Sequence, residues 1–310
     1  MHTRTFLQLA NIEVIQEHFE QHGYICSTEI ATAVFLAFKL HKPVLIEGPP
    51  GVGKTELAKT CALILDLPLI RLQCYEGLDE SKALYEWKYG KQLLYTQVLK
   101  EKLGDVLQGT NSLVEAVGKL HQFDDIFYSE EFLEPRPLLK ALRQNDGTVL
   151  LIDEIDKSDY EFESLLLEIL SDYQVSIPEI GTVKATSTPM VFLTSNNARD
   201  ISDALKRRCL HLYIPFPTQE LEERIIRSRI PEISDGLRHQ LVAFVQSLRE
   251  LDLKKSPAIS ETIDWAKSLL LLHADQLEED LIKNTLNVLL KYQDDVDAVK
   301  SEVRSLIPKN

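Results

Sequence analysis

Eight consecutive residues, Gly48-Pro49-Pro50-Gly51-Val52-Gly53-Lys54-Thr55, satisfy the pattern G-x-x-x-x-G-K-[ST] in full. That spacing suits phosphate. Glycines let the backbone fold tightly enough for several N–H groups to face one anion. The helix that opens behind the loop, Glu56–Leu65, brings a dipole favourable to negative charge. Lys54 supplies a cation, and the Thr55 hydroxyl is a ligand for Mg²⁺. A second constellation lies a hundred residues on, where the apolar run from Val149 ends in Asp153 and Glu154. A carboxylate at a strand end can hold the metal, which assigns Asp153, and the next can polarise an attacking water, which assigns Glu154. A third run, Phe192-Leu193-Thr194-Ser195-Asn196-Asn197, ends in amides, and Asn196 can bond a γ-phosphate or the lytic water. The fourth feature is basic. Arg207 and Arg208 precede the last apolar run, and a planar guanidinium suits charge developing on a transferred phosphoryl group. A solvated helix end is the plainer reading of that pair, and the other three motifs favour an arginine acting on a neighbouring molecule's site.

Each motif needs an element to hold it. Val44–Glu47, Leu69–Cys74, Thr148–Asp153, Met190–Thr194 and Cys209–Ile214 read as buried strands, short and aliphatic between turn residues. Helical stretches separate most of them, so a parallel sheet covered on both faces is expected. The interval from Tyr75 to Gly147 is too long for a simple crossover and implies an insertion. Within it Asp79–Leu103 reads as helical, and Glu130–Leu142 as a loop entering a helix near Pro135 and Pro137. Beyond Pro217 the strand signal stops, and four or five amphipathic helices follow, including Gln219–Arg229, Gly236–Leu251, Ser260–Leu272 and Glu278–Tyr292. The expected division is residues 1–217 for the α/β part and 218–310 for a small all-α part.

Composition narrows the class. The chain has 310 residues, 44% hydrophobic and 26% charged, with a net charge of −14. That excess of acid disfavours a general nucleic-acid binder, which needs a basic face. No apolar run approaches the length of a bilayer span, and the first residues lack a secretory signal. Four well-spaced cysteines without a C-x-x-C pair fit reduced thiols in the cytoplasm. The acids Asp156, Asp159, Glu161 and Glu163 read as solvated helix N-terminal charges, and Asp294, Asp295 and Asp297 as a solvated loop or helix start. His18 and His22 share a helix face but find no third ligand, so a solvated face is expected there.

The order of the motifs GPPGVGKT, VLLIDEID, FLTSNNARD and ALKRRC resembles Walker A, Walker B, sensor 1 and arginine finger of an AAA+ ATPase. Cys74–Tyr95, Ile177–Val183 and Ile259–Trp265 are similar to the MoxR family, in its CoxD-like branch. The resemblance spans roughly residues 25–295. It implies a P-loop AAA+ core with a parallel five-stranded sheet, the sensor strand between the two Walker strands, and a small all-α lid domain. It also implies a helix-2 insertion within about residues 75–134 and a hairpin before sensor 1 at about 174–187. Val175–Ile177 and Thr182–Ala185, flanking Pro178–Gly181, fit that hairpin. The resemblance further implies ATP and Mg²⁺ as cofactors and an adenine pocket beginning at Tyr24 and Ile25, with Glu56 beside the loop. The partners it implies are copies of the chain in a ring, a hexamer by analogy, a von Willebrand factor A domain protein and a client enzyme to be matured. One departure stands out. The start of the third lid helix, Ser260-Glu261-Thr262, carries no sensor 2 arginine, and Lys254 or Lys255 is the nearest basic neighbour. Two other functions compete with ATP-driven remodelling: a nucleotide-dependent binding switch with little turnover, and a nucleic-acid motor. The absence of an N-K-x-D motif argues against GTP.

Overall fold

The computed structural model describes residues 9–106, 128–178 and 180–307. With strands and helices numbered along the chain, α1 (Ile12–Gln21) and α2 (Thr28–Leu40) come first. Side chains cap both: Val14 N donates to Asn11 Oδ1 and Ile30 N to Ser27 Oγ. The main sheet consists of β1 (Val44–Glu47), β2 (Leu69–Gln73), β5 (Val149–Asp153), β8 (Met190–Ser195) and β9 (Leu210–Tyr213). Its order is β2-β5-β8-β1-β9 and every pairing is parallel. The expected five-stranded sheet is therefore present, with β8 between the other two motif-bearing strands.

Alternate side chains fill two layers. Val44, Ile46, Val149 and Leu151 join the core under α1, α2 and α3 (Lys54–Leu65). Leu45, Leu150 and Ile152 join the core under α6 (Pro137–Leu142) and α7 (Tyr160–Asp172). A strand buried on both faces needs unbroken aliphatic runs, and these strands have them. Parallel pairing also sends every C-terminal end to one edge. Glu47 aligns with Ser195 and Gln73 with Asp153, so the motifs meet there.

The stretch expected to be one helix over Asp79–Leu103 is broken. It forms α4 (Glu80–Ala83), then β3 (Tyr85–Trp87), then α5 (Tyr89–Val106). β3 pairs antiparallel with β4 (Leu133–Pro135), so a partner distant in sequence overrides the local helical pattern. Residues 107–127, in the middle of the expected insertion, lie outside the described residues. β6 (Gln174–Ile177) and β7 (Gly181–Lys184) form the expected hairpin, and Glu179 of its turn also lies outside them. The short helix α8 (Asp203–Lys206) precedes β9.

After Thr218 the described residues are helical: α9 (Gln219–Arg229), α10 (Asp235–Arg249), α11 (Ile259–Leu271), α12 (Glu279–Leu289) and α13 (Gln293–Leu306). Trp265 and Phe244 fill their common core, and Trp265 Nε1 donates to Thr285 Oγ1 at 2.8 Å. Helix α11 starts one residue earlier than expected. Ala258 stands at its cap, lacks a side-chain acceptor, and donates its N–H to Glu261 Oε2. Asp295 is not solvated. It is buried and accepts from the backbone N–H groups of Lys254 and Lys255, which pins the loop before α11.

Candidate nucleotide site

The loop Gly48–Gly53 leaves β1 and enters α3 across two close approaches that only glycine permits. A Cβ on Gly48 would lie 2.1 Å from the carbonyl oxygen of Ile214. A Cβ on Gly51, at φ +73°, would lie 2.4 Å from Ala258 Cβ and 2.9 Å from Ser260 Oγ. The start of α11 is thus seated directly on the loop. Lys54, 6% exposed, opens α3 and curls its ammonium back into the loop. Its Nζ donates to Gly48 O at 2.6 Å, Pro49 O at 2.7 Å and Asn196 Oδ1 at 2.8 Å. Burial pulls its pKa down to about 8, against the opposing pull of Asp156, Asp153 and Glu154. Pro50 is exposed and Val52 is buried.

At the end of β5 the Asp153 carboxylate is buried and shared. Oδ1 accepts from Thr194 Oγ1 at 2.5 Å and Thr55 Oγ1 at 3.1 Å. Oδ2 accepts from Arg71 Nε at 3.0 Å and Nη2 at 2.6 Å. Glu154 follows at φ +57°, a left-handed conformation that non-glycine residues adopt at a cost of about 1–3 kcal/mol. Its N–H donates to Thr194 Oγ1. Its Oε2 accepts from Gln73 Nε2 at 2.7 Å and Lys157 Nζ at 2.6 Å, and its Oε1 from Asn196 Nδ2 at 3.3 Å. Lys54, Thr55, Asp153, Glu154 and Asn196 are therefore one connected group. The Thr55 hydroxyl and the Asp153 carboxylate, side by side, are the hard oxygen donors Mg²⁺ prefers.

Beside this group a cavity of about 650 Å³ opens between the loop, the chain before α2, the segment after β9 and the start of α11. Tyr24, Ile25, Ile214, Phe216, Ile225 and Ile263 give it apolar walls. Gly51, Val52, Gly53 and Glu56 line its loop side. Its size and lining suit a flat heterocycle with a few polar contacts. Tyr24 is buried, and that burial pushes its phenol well above the usual range.

Other residues fall differently. Arg207 and Arg208 follow α8 on the surface and hydrogen-bond to none of the connected group. Arg208 donates from Nε to Ser171 Oγ at 2.7 Å and from Nη1 to Ala204 O at 3.1 Å. Arg207 donates its backbone N–H to Asp203 O, and its guanidinium has no partner among the described residues. Lys254 pairs with Asp294 and Lys255 with Glu261, and neither lines the cavity. The cations that do face it are Lys267 of α11 and Arg229 of α9, the latter paired with Glu56 at 2.8 Å. Two acids expected to be solvated are buried: Asp156 accepts from Asn196 N and Ala198 N, and Glu163 pairs with Arg199 at 2.5 Å. Asp159 caps α7 as expected. Among the described residues no cluster of His, Cys, Asp and Glu is shaped to hold a metal, and no helix is long and apolar enough to cross a membrane.

Sequence reasoning missed Arg71, Gln73, Lys157 and Thr194. The first two sit two residues apart on β2, the spacing of one sheet face, and that alternation was the only local signal.

A family model for the AAA domain, dynein-related subfamily, matches residues 43–209. Uncharacterised proteins of Staphylococcus aureus strains USA300 and COL are each 26% identical over 240 residues, covering 75% of this chain and 77% of theirs. Two solved RuvB variants of Thermotoga maritima are each 18% identical and cover 95% of this chain. They cover 79% and 77% of their own length, at TM-scores of 0.50 and 0.49. The likeness at 0.50 is one of fold alone.

Proposed function

The chain belongs to the AAA domain family, dynein-related subfamily, and from that premise we propose that it hydrolyses ATP at the group around Lys54, Glu154 and Asn196. One observation carries the reading. Asn196 bridges the loop lysine and the second strand-end carboxylate, accepting from Lys54 Nζ at 2.8 Å and donating to Glu154 at 3.3 Å. Three motifs scattered along the chain thus converge where a γ-phosphate and an attacking water would lie. Lys54 would exchange the carbonyls of Gly48 and Pro49 for phosphate oxygens, while Asn196 would orient the water and Glu154 draw its proton. Thr55 and Asp153 would hold Mg²⁺, which neutralises charge on the β- and γ-phosphates when bound. The apolar cavity beside Tyr24 and Ile25 would take the adenine. Arg207 or Arg208 of a neighbouring copy would supply the remaining positive charge, so the working unit is a ring, of six copies by analogy.

The finer reading is a MoxR-type remodelling ATPase in the cytoplasm, with 1–217 as the nucleotide-binding part and 218–310 as its lid. It acts on a client enzyme alongside a von Willebrand factor A domain protein. The segments Cys74–Tyr95, Ile177–Val183 and Ile259–Trp265 support it. A second reading, a nucleotide switch with little turnover, draws on Arg71 and Lys157, which occupy both strand-end carboxylates. Phosphate release measured with Mg·ATP, and again after chelation, separates them. Metal-dependent turnover is expected; ATP binding without turnover would favour the switch.

A further inference from the structure

Asp156 stands in the short helical turn after Glu154, and the sequence gives no reason to single it out from the acids around it. It is 4% exposed. Its Oδ2 accepts from Asn196 N at 3.1 Å and from Ala198 N at 2.9 Å. Asn197, between those two, is left-handed at φ +59°, which turns the flanking N–H groups toward one point. The other oxygen, Oδ1, is buried and has no hydrogen-bond partner among the described residues. A buried carboxylate is costly unless its oxygens are paired, and Oδ2 is paired through these two N–H groups of the Asn196–Ala198 turn. The same stretch of chain is pinned again at Glu163, 1% exposed, which accepts from Ser202 N at 3.0 Å and pairs with Arg199.

We propose that Asp156 is a positioning residue for ATP hydrolysis: its carboxylate clamps the backbone of Asn196 so that the amide side chain reaches Lys54 and Glu154 together. The proposal rests on the hydrolytic reading of the site. Asn196 has only two side-chain torsions, so its reach is set by where its backbone sits. Displacements of about 1 Å in such groups can cost on the order of 10²-fold in rate. Charged acceptors hold N–H groups roughly twice as strongly as neutral ones, so an uncharged replacement loosens the clamp even when its shape fits.

The test is a double-mutant cycle on steady-state hydrolysis, with Asp156→Ala, Asp156→Asn, Asn196→Ala and both double variants. Asp156→Ala should lower kcat by about 10- to 100-fold while KM for ATP moves by less than about threefold, and Asp156→Asn should fall between it and the parent. In the Asn196→Ala background each Asp156 substitution should change kcat by less than about twofold, because the residue it positions is gone. An equal loss in both backgrounds would overturn the proposal, as would a rise in KM matching the fall in kcat. Should Asp156→Ala fail to fold, the isosteric Asp156→Asn carries the cycle alone. A parent protein that binds ATP without turning it over would sink the hydrolytic reading and leave the clamp to a second measurement. Amide hydrogen exchange at Asn196 and Ala198 should be at least about tenfold faster in Asp156→Asn, and unchanged exchange would end the proposal.

Discussion

Lys54 and Asn196 are 142 residues apart in sequence, yet a 2.8 Å hydrogen bond joins them. All three ammonium protons are satisfied by protein oxygens, so phosphate binding would be an exchange of partners rather than the capture of a bare charge. Replacing Lys54 by Ala removes charge-assisted bonds worth about 1.5–3 kcal/mol each, and ATP affinity should fall by at least about tenfold in equilibrium binding. Glu154→Gln should keep ATP affinity within about threefold while lowering turnover by on the order of 10²-fold or more. The residues that touch phosphate in this account were legible because their spacing is local: eight residues for the loop, two adjacent acids, one amide at a strand end. Arg71 and Gln73 were not. Their meaning comes from the β2–β5 register, which sets Gln73 beside Asp153. Asp156 was misread because an acidic run looks solvated, and only the turn of Asn196–Ala198 over it creates its burial.

Elements carry the next level of argument. Helix α11 rests on the loop through Ala258 and Ser260, so Gly51→Ala should push the two apart. The added methyl, in a left-handed residue, should cost about 1–3 kcal/mol, visible as weaker ATP binding with little change in helical content by circular dichroism. A buried pair holds α9, α10 and α11 in register. Glu222, 0% exposed, accepts from the two terminal guanidinium nitrogens of Arg249, at 2.6 and 2.8 Å, and also from Thr262 Oγ1. The same guanidinium donates to Pro257 O and covers the Phe216 ring, so it ties the cavity wall to the start of α11. Glu222→Ala strands that charge and should cost about 3–5 kcal/mol in a denaturant titration. The helices after Thr218 were readable because burial repeats with the helical period, and the inner strands β1, β5 and β8 because burial on both faces demands short unbroken aliphatic runs. The break at Tyr85–Trp87 was not, since its strand partner Leu133–Pro135 is supplied from far along the chain.

At the scale of the whole molecule, burial also explains the cysteines. Partial burial pushes Cys26 up to about 11 and Cys209 to about 12, fuller burial pushes Cys74 to about 12 and Cys61 upward too, so the native chain should react slowly with iodoacetamide near neutral pH and faster on unfolding. The connected group contains no arginine from after α8, and Arg207 and Arg208 sit on the surface, so in the proposed mechanism a neighbouring copy would bring them to it. The family fold was legible because four motifs occur in order. What would join copies of the chain was not, because it depends on surfaces that no single-chain spacing encodes.

The most direct measurement mixes two variants that the proposed mechanism makes inactive. Glu154→Gln keeps both arginines and lacks the proposed base; the Arg207→Ala, Arg208→Ala variant keeps the proposed base and lacks the arginines. If the site is shared, rings formed from equal amounts should contain about a quarter of their interfaces with both parts intact and should release phosphate accordingly. A mixture no more active than the two variants measured separately would contradict a hydrolytic site built between copies of this chain.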